Sequence, residues 1–324
     1  MSRSPAAWRE ILRHNFTDWN ALANFLELTD EQRQQIFSPR RFPLNLPRRL
    51  AEKIAKGTLD DPILRQFVPN KLEEVAQPGF GCDPVGDDSS MMTSKLLKKY
   101  QGRALLICTS ACAMHCRYCF RQHFDYDVKD KLFHEELEAI RQDSSIHEVI
   151  LSGGDPLSLS DNHLKHLVQD IADIPHVKRL RFHSRFPIGI PERVDEVFLS
   201  LFDSTRLSLW FVIHSNHASE LDEDVLAALQ RLKRRGFMLL NQAVLLRGVN
   251  DTADSLAALC EKLANNGVLP YYLHQLDRAK GVGHFEVSEE EGHALIKAVS
   301  ARLSGYAVPK YVREVAGEAN KIVL

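Results

Sequence analysis

From Gly102 onwards the sequence repeats one pattern, a short apolar run followed by an amphipathic stretch. The apolar runs are six predicted strands: Arg103–Thr109, Glu148–Ser152, Val177–His183, Leu207–Ile213, Met238–Leu246 and Leu269–Gln275. The amphipathic stretches are six predicted helices: Leu132–Gln142, Leu159–Ile171, Pro191–Phe202, Glu220–Arg235, Thr252–Ala264 and Ser288–Leu303. Near-continuous apolar strands that alternate with helices indicate an α/β fold with a parallel sheet covered on both faces. Six units are too few for a closed (β/α)₈ barrel and predict an open, partial (β/α)₆ barrel.

The first part of the chain has a different pattern. Apolar residues recur at helical spacing in three stretches, which are Trp8–Leu12, Trp19–Leu28 and Leu50–Lys56. Thr29 is predicted to cap the start of a further helix. The stretch Gln77–Ser94 is rich in Pro, Gly, Asp and Ser, which indicates a linker or an ordered loop. We therefore predict a helical N-terminal extension with its linker over residues 1–95 and the partial barrel over residues 96–324.

The overall composition is that of an ordinary globular protein, with 44% hydrophobic residues and a formal net charge of −2 at pH 7. A net charge so close to zero does not favour a nucleic acid or a membrane surface as the main partner. No apolar run is long enough to span a bilayer, and the first residues lack the features of a secretory signal. We expect a cytoplasmic protein.

Four of the six cysteines lie in one short stretch, at Cys108, Cys112, Cys116 and Cys119. In a reducing compartment such clustering indicates metal or cofactor chemistry rather than disulfides. The last three have C-x₃-C-x₂-C spacing. Iron–sulfur clusters are usually held by four thiolates, so three local ligands would leave one iron open to a small molecule. The alternative is a structural zinc site, which needs four ligands and would have to recruit His115 or Cys108.

Polar clusters follow most of the predicted strands. The first strand is followed by CAMHCRYCFRQH, the second by SGGDP, and later strands end in HSR, HSNH and QLD, while the fifth carries Asn241 and Gln242. Because the carboxyl ends of parallel strands meet at one face of a barrel, these clusters predict one active-site rim. In SGGDP, glycines would let a ligand approach the backbone closely.

The cysteine motif, with Tyr118 before Cys119, resembles the signature of the radical S-adenosylmethionine (SAM) superfamily, and SGGDP resembles its glycine-rich motif. Further motifs resemble the lysine 2,3-aminomutases: His183-Ser-Arg-Phe-Pro187, Ile213-His-Ser-Asn-His217, Asn241–Asp251, Tyr271–Asp277, Gly283-His-Phe285, Ser304–Pro309 and Gly317-Glu-Ala-Asn-Lys321. The resemblance extends from about Lys95 to Lys321.

The resemblance implies three cofactors: a [4Fe–4S] cluster, SAM and pyridoxal 5′-phosphate (PLP). Cys112, Cys116 and Cys119 are the implied ligands of the cluster, and Lys321 is the implied carrier of PLP. The implied contacts of SAM are Gly153, Gly154, Asp155, His214 and Gln242, and those of the PLP phosphate are Lys99 and Arg103. A lysine must be neutral to attack the cofactor aldehyde, so burial should lower the pKa of Lys321.

The implied substrate is L-lysine. Arg121 matches the arginine that binds the substrate carboxylate, for which a planar guanidinium is well suited. Asp277 and Glu314 match the two carboxylates that bind the distal ammonium, although the lysine-degrading enzymes have aspartate at the second position. The reaction implied is an isomerisation, the 2,3-migration of the amino group that converts L-α-lysine to β-lysine.

Two departures from the lysine-degrading enzymes stand out. The glycine-rich run before Lys321 is reduced to Gly317-Glu-Ala-Asn, and the chain stops at Leu324 without their C-terminal extension. The short form resembles the branch that makes (R)-β-lysine for modification of elongation factor P. The resemblance therefore implies a functional link to that factor and its lysyl-transferring enzyme, an electron donor such as flavodoxin or ferredoxin, and it allows a homo-oligomer.

Two alternatives stay open at this point. A related aminomutase could act on another amino acid such as glutamate, but two carboxylates at Asp277 and Glu314 would repel an acidic side chain. A non-catalytic zinc- or RNA-binding module would need a fourth metal ligand or a basic stripe, and neither is evident in the sequence.

Overall fold

The computed structural model describes residues 7–36, 42–126 and 132–324. A sheet of ten strands runs through these residues, and its strands lie side by side in chain order. The strands are β1 (Met91–Thr93), β2 (Leu96–Leu97), β3 (Arg103–Ile107), β4 (Glu148–Ser152), β5 (Arg179–Ser184), β6 (Ser208–Ile213), β7 (Met238–Val244), β8 (Leu269–His274), β9 (Lys310–Arg313) and β10 (Ile322–Val323).

The strands from β3 to β9 are paired in parallel, each with the next along the chain. All six predicted strands are present, with ends that differ from the prediction by no more than two residues. Among the described residues β1 and β10 pair only with β2 and β9, so the sheet stays open. The predicted α/β class and the open, partial barrel are confirmed.

Both edges of the sheet differ from the prediction. On one side β1 and β2 form an antiparallel hairpin that continues onto β3. On the other side β9 adds a seventh parallel strand, and β10 returns antiparallel to it. Runs of two to four residues are too short to show a periodicity in the sequence. These unpredicted strands matter because they carry Lys99, Glu314 and Lys321 on their flanks.

Twelve α-helices are described: α1 (Ala7–Arg13), α2 (Trp19–Phe25), α3 (Asp30–Arg33), α4 (Arg48–Glu52), α5 (Pro62–Phe67), α6 (His134–Gln142), α7 (Asp161–Ala172), α8 (Phe186–Gly189), α9 (Glu196–Ser200), α10 (Glu223–Arg234), α11 (Ala253–Asn265) and α12 (Glu289–Ser300). The predicted helix Pro191–Phe202 is interrupted, because Asp195 caps a new helix that begins at Glu196, its side chain accepting from the backbone N–H of Phe198. Throughout the described ranges, no helix combines the length and the apolar character needed to cross a bilayer.

The N-terminal helices pack into the same apolar core as the barrel. Trp8, Leu22 and Leu50 belong to one continuous cluster of buried side chains with Phe186 and Ile188. Thr29 caps α3 with a reciprocal capping box, as predicted. The stretch Gln77–Ser94 is an ordered loop that contains a 3₁₀ turn and β1. The division between residues 1–95 and 96–324 stays a prediction.

The loop after β3 carries Cys112, Cys116 and Cys119, and we refer to it as the cysteine loop. The N-terminal part holds it by direct hydrogen bonds. The side-chain amide of Asn15 donates to the carbonyl of Ala113 at 2.8 Å, and that of Asn45 donates to the carbonyl of Cys112 at 3.3 Å. The backbone N–H of His115 donates to the carbonyl of Asn45 at 3.0 Å. Such contacts fix the backbone conformation of a loop that has no strand or helix of its own.

Arg117, between the second and third cysteines of the motif, anchors the loop most strongly. Its backbone N–H donates to the carbonyl of Gln66 at 2.7 Å, and its guanidinium donates to the carbonyl of Phe42 at 2.7 Å. The guanidinium also makes a two-point ion pair with Glu73, with Nε 2.9 Å from Oε1. The side chains of Arg117 and Glu73 are only 2% and 7% exposed, so each charge depends on the other.

Replacement of Glu73 by glutamine leaves the Arg117 guanidinium buried without a counter-charge. We expect the free energy of unfolding to fall by about 3 kcal/mol, the usual cost of removing one partner of a buried ion pair. Urea unfolding of the cluster-free protein measures it. The matched control is Glu52→Gln, because the Arg48–Glu52 pair is 58% and 54% exposed and should contribute little. Equal losses in the two variants would contradict this account.

Candidate active site

A continuous cavity of about 260 Å³ lies within the curved sheet. Every parallel strand from β3 to β9, or the loop that follows it, supplies residues to its wall. All fourteen predicted site residues line this cavity, namely Lys99, Arg103, Cys112, Cys116, Cys119, Arg121, Gly153, Gly154, Asp155, His214, Gln242, Asp277, Glu314 and Lys321. The structure therefore brings the predicted residues together, while their individual roles stay predictions.

Three free thiols, those of Cys112, Cys116 and Cys119, lie at one end of the cavity wall. Burial, with Cys116 nearby, raises the pKa of the Cys119 thiol to about 12, and burial also raises the pKa of Cys112. Buried thiols that resist ionisation become thiolates when a metal centre supplies positive charge.

Neither candidate for a fourth zinc ligand lines the cavity. Cys108 is fully buried beneath the cysteine loop. The Nδ1 atom of His115 lies 2.7 Å from the carbonyl oxygen of Pro43, and its ring stacks on Phe42 at 4.4 Å. Among the described residues, no group of three or more His, Cys, Asp or Glu side chains is placed to hold a single metal ion.

The two glycines of SGGDP allow close contact between two backbones. A Cβ atom on Gly153, whose φ is +115°, would lie 2.6 Å from the carbonyl oxygen of Thr109. A Cβ on Gly154 would lie 2.4 Å from the carbonyl oxygen of Ala111. Glycine is thus required at both positions because the turn packs directly on the cysteine loop. This is a reason that the sequence did not reveal, and the close approach of a ligand to the same turn stays a prediction.

The carboxylate of Asp155 is saturated by the protein itself. It accepts hydrogen bonds from the backbone N–H groups of Leu157, Arg185 and Phe186 at 3.0, 2.9 and 3.0 Å. It also accepts from the hydroxyl of Ser184 at 2.8 Å. Burial raises the pKa of Asp155 to about 6 despite these bonds. Asp155 therefore ties the turn after β4 to the end of β5, and its predicted contact with SAM is at most a second task.

A chain of alternating charges runs along one wall of the cavity. Arg121 Nε donates to Asp87 Oδ2 at 2.7 Å, and Asp87 Oδ1 forms an ion pair with Lys99 Nζ at 2.6 Å. Lys99 Nζ donates to Glu314 Oε1 at 3.0 Å, and the other oxygen of Glu314 accepts from Lys321 Nζ. We refer to these five residues as the charge chain. It connects the predicted carboxylate-binding arginine to the predicted cofactor lysine.

The charge chain shifts the ionisation of its two acids. Burial alone would raise the pKa of Glu314, but Lys321 and Lys99 outweigh it and lower the value to about 2. Asp87 is similar, because Arg121 and Lys99 hold its pKa below the ordinary value against the effect of burial. Both acids are therefore charged at neutral pH.

Lys99 has three acceptors within the protein. Its ammonium contacts the carbonyl of Val85 at 2.9 Å in addition to the carboxylates of Asp87 and Glu314. These three acceptors can take all three N–H groups of the ammonium. Lys99 lies in the loop after β2, a strand that the sequence did not predict. In the ligand-free protein it is the counter-ion of two acids, and its contact with a cofactor phosphate stays a prediction.

Arg181 is a cationic residue of the cavity that was not predicted. It lies in β5 and lines the cavity together with Arg103. Its Nη2 pairs with Glu148 at 2.7 Å, whereas its Nε is buried and has no hydrogen-bond partner among the described residues. The alternation Arg179, Arg181, His183 is a signal that was available, because side chains two apart in a strand share one face.

Asp277 differs from Glu314, its predicted partner in binding an ammonium. Within the parts of the chain that the structure describes, its carboxylate has no hydrogen bond or ion pair. Burial, reinforced by the charge of Glu314, raises the pKa of Asp277 to about 7. An incoming cation would relieve both effects, whereas Glu314 is already neutralised by two ammonium groups.

Three uncharged histidines, His183, His214 and His274, line the cavity. Burial lowers the pKa of His214 to about 4, and burial together with nearby cations lowers the pKa of His183 and His274. Each has a buried Nε2 without a hydrogen-bond partner among the described residues. Only His214 was predicted, although His183 begins the strand-end cluster HSR and His274 lies within the predicted strand Leu269–Gln275.

Comparison with known proteins places the chain in a family. Residues 106–260 match the radical SAM superfamily. The chain is 41% identical to the L-lysine 2,3-aminomutase of Haemophilus influenzae over 98% of its own length and 96% of that protein. It is 41% identical to the Escherichia coli L-lysine 2,3-aminomutase, with 98% and 94% covered, and 30% identical to that of Clostridium subterminale, with 97% and 76% covered.

Among solved structures, a radical SAM methyltransferase from Sphaerobacter thermophilus shares 17% identity, with a TM-score of 0.47 over 69% of this chain and 70% of that one. The identity of 41% over nearly the whole of two relatives is much stronger. The chain belongs to the L-lysine 2,3-aminomutase family of the radical SAM superfamily.

Proposed function

We propose that this protein is an L-lysine 2,3-aminomutase, an isomerase that moves the amino group of L-lysine from carbon 2 to carbon 3 and forms β-lysine. The observation that carries the proposal is the composition of one cavity. Three free thiols, Arg121, Lys321 and the acid Asp277, which has no partner among the described residues, all line the same cavity. Each corresponds to a group that this reaction requires.

The family uses three cofactors, a [4Fe–4S] cluster, SAM and PLP, and the cavity suits each of them. Cys112, Cys116 and Cys119 are free thiols on one wall and would hold the cluster through three irons. The turn at Gly153 and Gly154 lies against the cysteine loop, so SAM bound there would adjoin the cluster. Uncharged His214 and Gln242 complete that side.

The part of the cavity wall around Lys321 suits PLP. Lys321 would carry the cofactor, and Arg103 and Arg181 would bind its phosphate. The buried Nε of Arg181 without a partner supports this placement, because a buried donor needs an acceptor. The rings of Tyr271 and Tyr272, stacked at 3.7 Å, also line this part of the cavity.

The cluster and SAM supply a 5′-deoxyadenosyl radical and PLP supplies a conjugated system, while the protein positions the substrate. Arg121 would bind the substrate carboxylate with its terminal nitrogens, because its Nε is engaged by Asp87. Asp277 would accept the distal ammonium. Glu314 accepts a hydrogen bond from Lys321 in the ligand-free protein and becomes available to the substrate only when Lys321 turns to the cofactor.

The unpartnered acid also argues against a glutamate-specific enzyme. A second substrate carboxylate placed beside Asp277 would face an acid that has no counter-ion among the described residues. Lysine brings an ammonium to the same place. Asp277 therefore favours a basic amino acid as the substrate.

Several finer points of the proposal rest on the short branch of the family. The relatives from H. influenzae and E. coli are covered over 96% and 94% of their length, whereas 76% of the C. subterminale relative is covered. The (R) configuration of β-lysine, its use in modifying elongation factor P and a cytoplasmic location are parts of the proposal that are carried over from the resemblance to the short branch. A one-electron donor such as flavodoxin or ferredoxin and assembly into a homo-oligomer are further parts of the proposal.

Replacement of Cys116 by alanine should abolish both the iron–sulfur absorbance and the formation of β-lysine, because the cluster loses one of three thiolates. Absorption spectra and iron analysis after anaerobic reconstitution measure the first effect, and chromatography of the products measures the second. Cys260→Ala is the matched control, since Cys260 lies buried in α11 away from the cavity. A Cys116→Ala protein that keeps its cluster would refute the ligand assignment.

Replacement of Lys321 by alanine should remove the absorbance of lysine-bound PLP and leave the iron content unchanged, because the lysine and the cysteines occupy different parts of the cavity. Titration of the purified variant with PLP, followed by absorption and borohydride trapping, measures the bond. Lys310→Ala, at an exposed position in β9, is the control. Trapping of PLP on the Lys321→Ala protein would show that another lysine carries it.

The KM for L-lysine should rise as the pH falls from 8 to 6, because the Asp277 carboxyl, with a pKa of about 7 in the ligand-free protein, loses its charge over that range. Asp277→Asn should raise the KM roughly 30-fold, or about 2 kcal/mol, and flatten the pH dependence. Steady-state kinetics across pH tests this, with 2-aminohexanoate, which lacks the distal ammonium, as the control. An unchanged pH profile in Asp277→Asn would exclude this role.

A further inference from the structure

A buried arginine contacts the cysteine loop directly. Arg185 follows β5, is 6% exposed, and places its Nη1 3.0 Å from the Sγ atom of Cys116. The same nitrogen donates to the hydroxyl of Tyr118. Among the predicted cluster ligands, Cys116 is therefore the one whose sulfur meets a positively charged hydrogen-bond donor.

The other side of the guanidinium is held by two buried side chains. Its Nη2 donates to Gln66 Oε1 at 2.6 Å and to Glu220 Oε2 at 2.7 Å, and both of these residues are 0% exposed. The guanidinium also lies 4.5 Å from the centre of the Phe67 ring. Its Nε is buried without a hydrogen-bond partner among the described residues, so the outer nitrogens alone fix its position.

The two residues that hold Arg185 are themselves fixed. Glu220 Oε1 accepts from the backbone N–H groups of Asn216 and His217, both at 2.9 Å. Gln66 receives a hydrogen bond from the side chain of Asn216 at 2.9 Å and donates to Glu220 at 3.1 Å. Three separate parts of the chain therefore converge to keep one guanidinium against one sulfur.

Such a contact has a definite consequence for an iron–sulfur cluster. Hydrogen bonds to cluster sulfurs and nearby charge set the reduction potential. A positive donor stabilises the more negative, reduced cluster, and the effect is larger where water is excluded. A buried negative charge beside that donor acts in the opposite direction.

We propose that Arg185 is a positioning residue that raises the reduction potential of the cluster through Cys116, and that Glu220 offsets part of this effect. The couple is the one-electron reduction of the 2+ cluster to the 1+ cluster, with the electron taken from dithionite in the experiment. This inference rests on the proposed cluster at Cys116. Because Gln66 holds Arg185, the N-terminal extension would also influence how readily the cluster takes up an electron.

The test is a potentiometric titration of reconstituted protein, followed by the EPR signal of the reduced cluster. Arg185→Met should lower the ratio of reduced to oxidised cluster at least tenfold at a fixed potential, which corresponds to about 59 mV for one electron. Arg185→Lys, which keeps the charge, should shift the potential less. Glu220→Gln should shift it in the opposite direction, to a higher potential.

Arg193→Met is the matched control. Arg193 is also fully buried, is paired with Asp161, and does not line the cavity. Its loss should destabilise the protein without moving the potential. If the role of Arg185 were purely structural, Arg185→Met and Arg193→Met would change the reduction potential alike. Alternatively, Arg185→Met and Glu220→Gln would shift the potential in the same direction.

The outcomes separate this inference from the proposed function. A wild-type protein without cluster absorbance would refute the proposed cluster and the inference with it. A normal wild-type cluster with an unchanged potential in Arg185→Met would overturn the inference alone. Where Arg185→Met assembles no cluster, Arg185→Lys and Glu220→Gln decide: unchanged potentials in both overturn the inference, and a rise in Glu220→Gln supports it.

Discussion

Charge compensation inside an apolar enclosure is the constraint on which this structure depends. The cavity wall holds arginines, lysines and acids that would each be costly to bury alone. In the charge chain, cations and acids alternate, so that each of its two acids contacts two cations and no buried charge is left uncompensated. Asp277, which lies outside the charge chain, has no ion pair among the described residues, and burial with the nearby charge of Glu314 raises its pKa to about 7. Asp155 has no ion pair among them either, but hydrogen bonds from the protein satisfy its carboxylate. Asp277 is thus the acid of the cavity that an incoming cation would stabilise.

The sequence predicted what depends on local pattern. Six strands of five to seven residues and their helices were evident because each shows its own periodicity and flanking turn signals. The cysteine spacing and the strand-end clusters predicted residues that do line one cavity, since parallel strands bring their carboxyl ends to one face. The family resemblance then identified Asp277 and Lys321 as members of the same site, and the cavity contains both.

The rest depended on contacts between distant segments. Asp87 lies in a loop that looked like a linker, and only its pairing with Arg121 and Lys99 reveals a place in the site. Lys99 was assigned to a phosphate from the resemblance, and nothing in the sequence indicates that it also contacts Asp87 and Glu314. Arg185 was noted within the HSR cluster but received no role, because its contact with Cys116 requires the fold.

The hydrogen bonds from the N-terminal part to the cysteine loop couple two equilibria. One equilibrium is ligand binding by the cysteine loop, and the other is the folding of the N-terminal part against that loop. A ligand that binds only the folded loop also stabilises the contacts of Asn15, Asn45 and Glu73 with it, since linkage is reciprocal. A bound cluster would therefore stabilise the contacts between the N-terminal part and the barrel. Loss of a bound cluster would remove this stabilisation, although the apolar core that the first helices share with the barrel would remain.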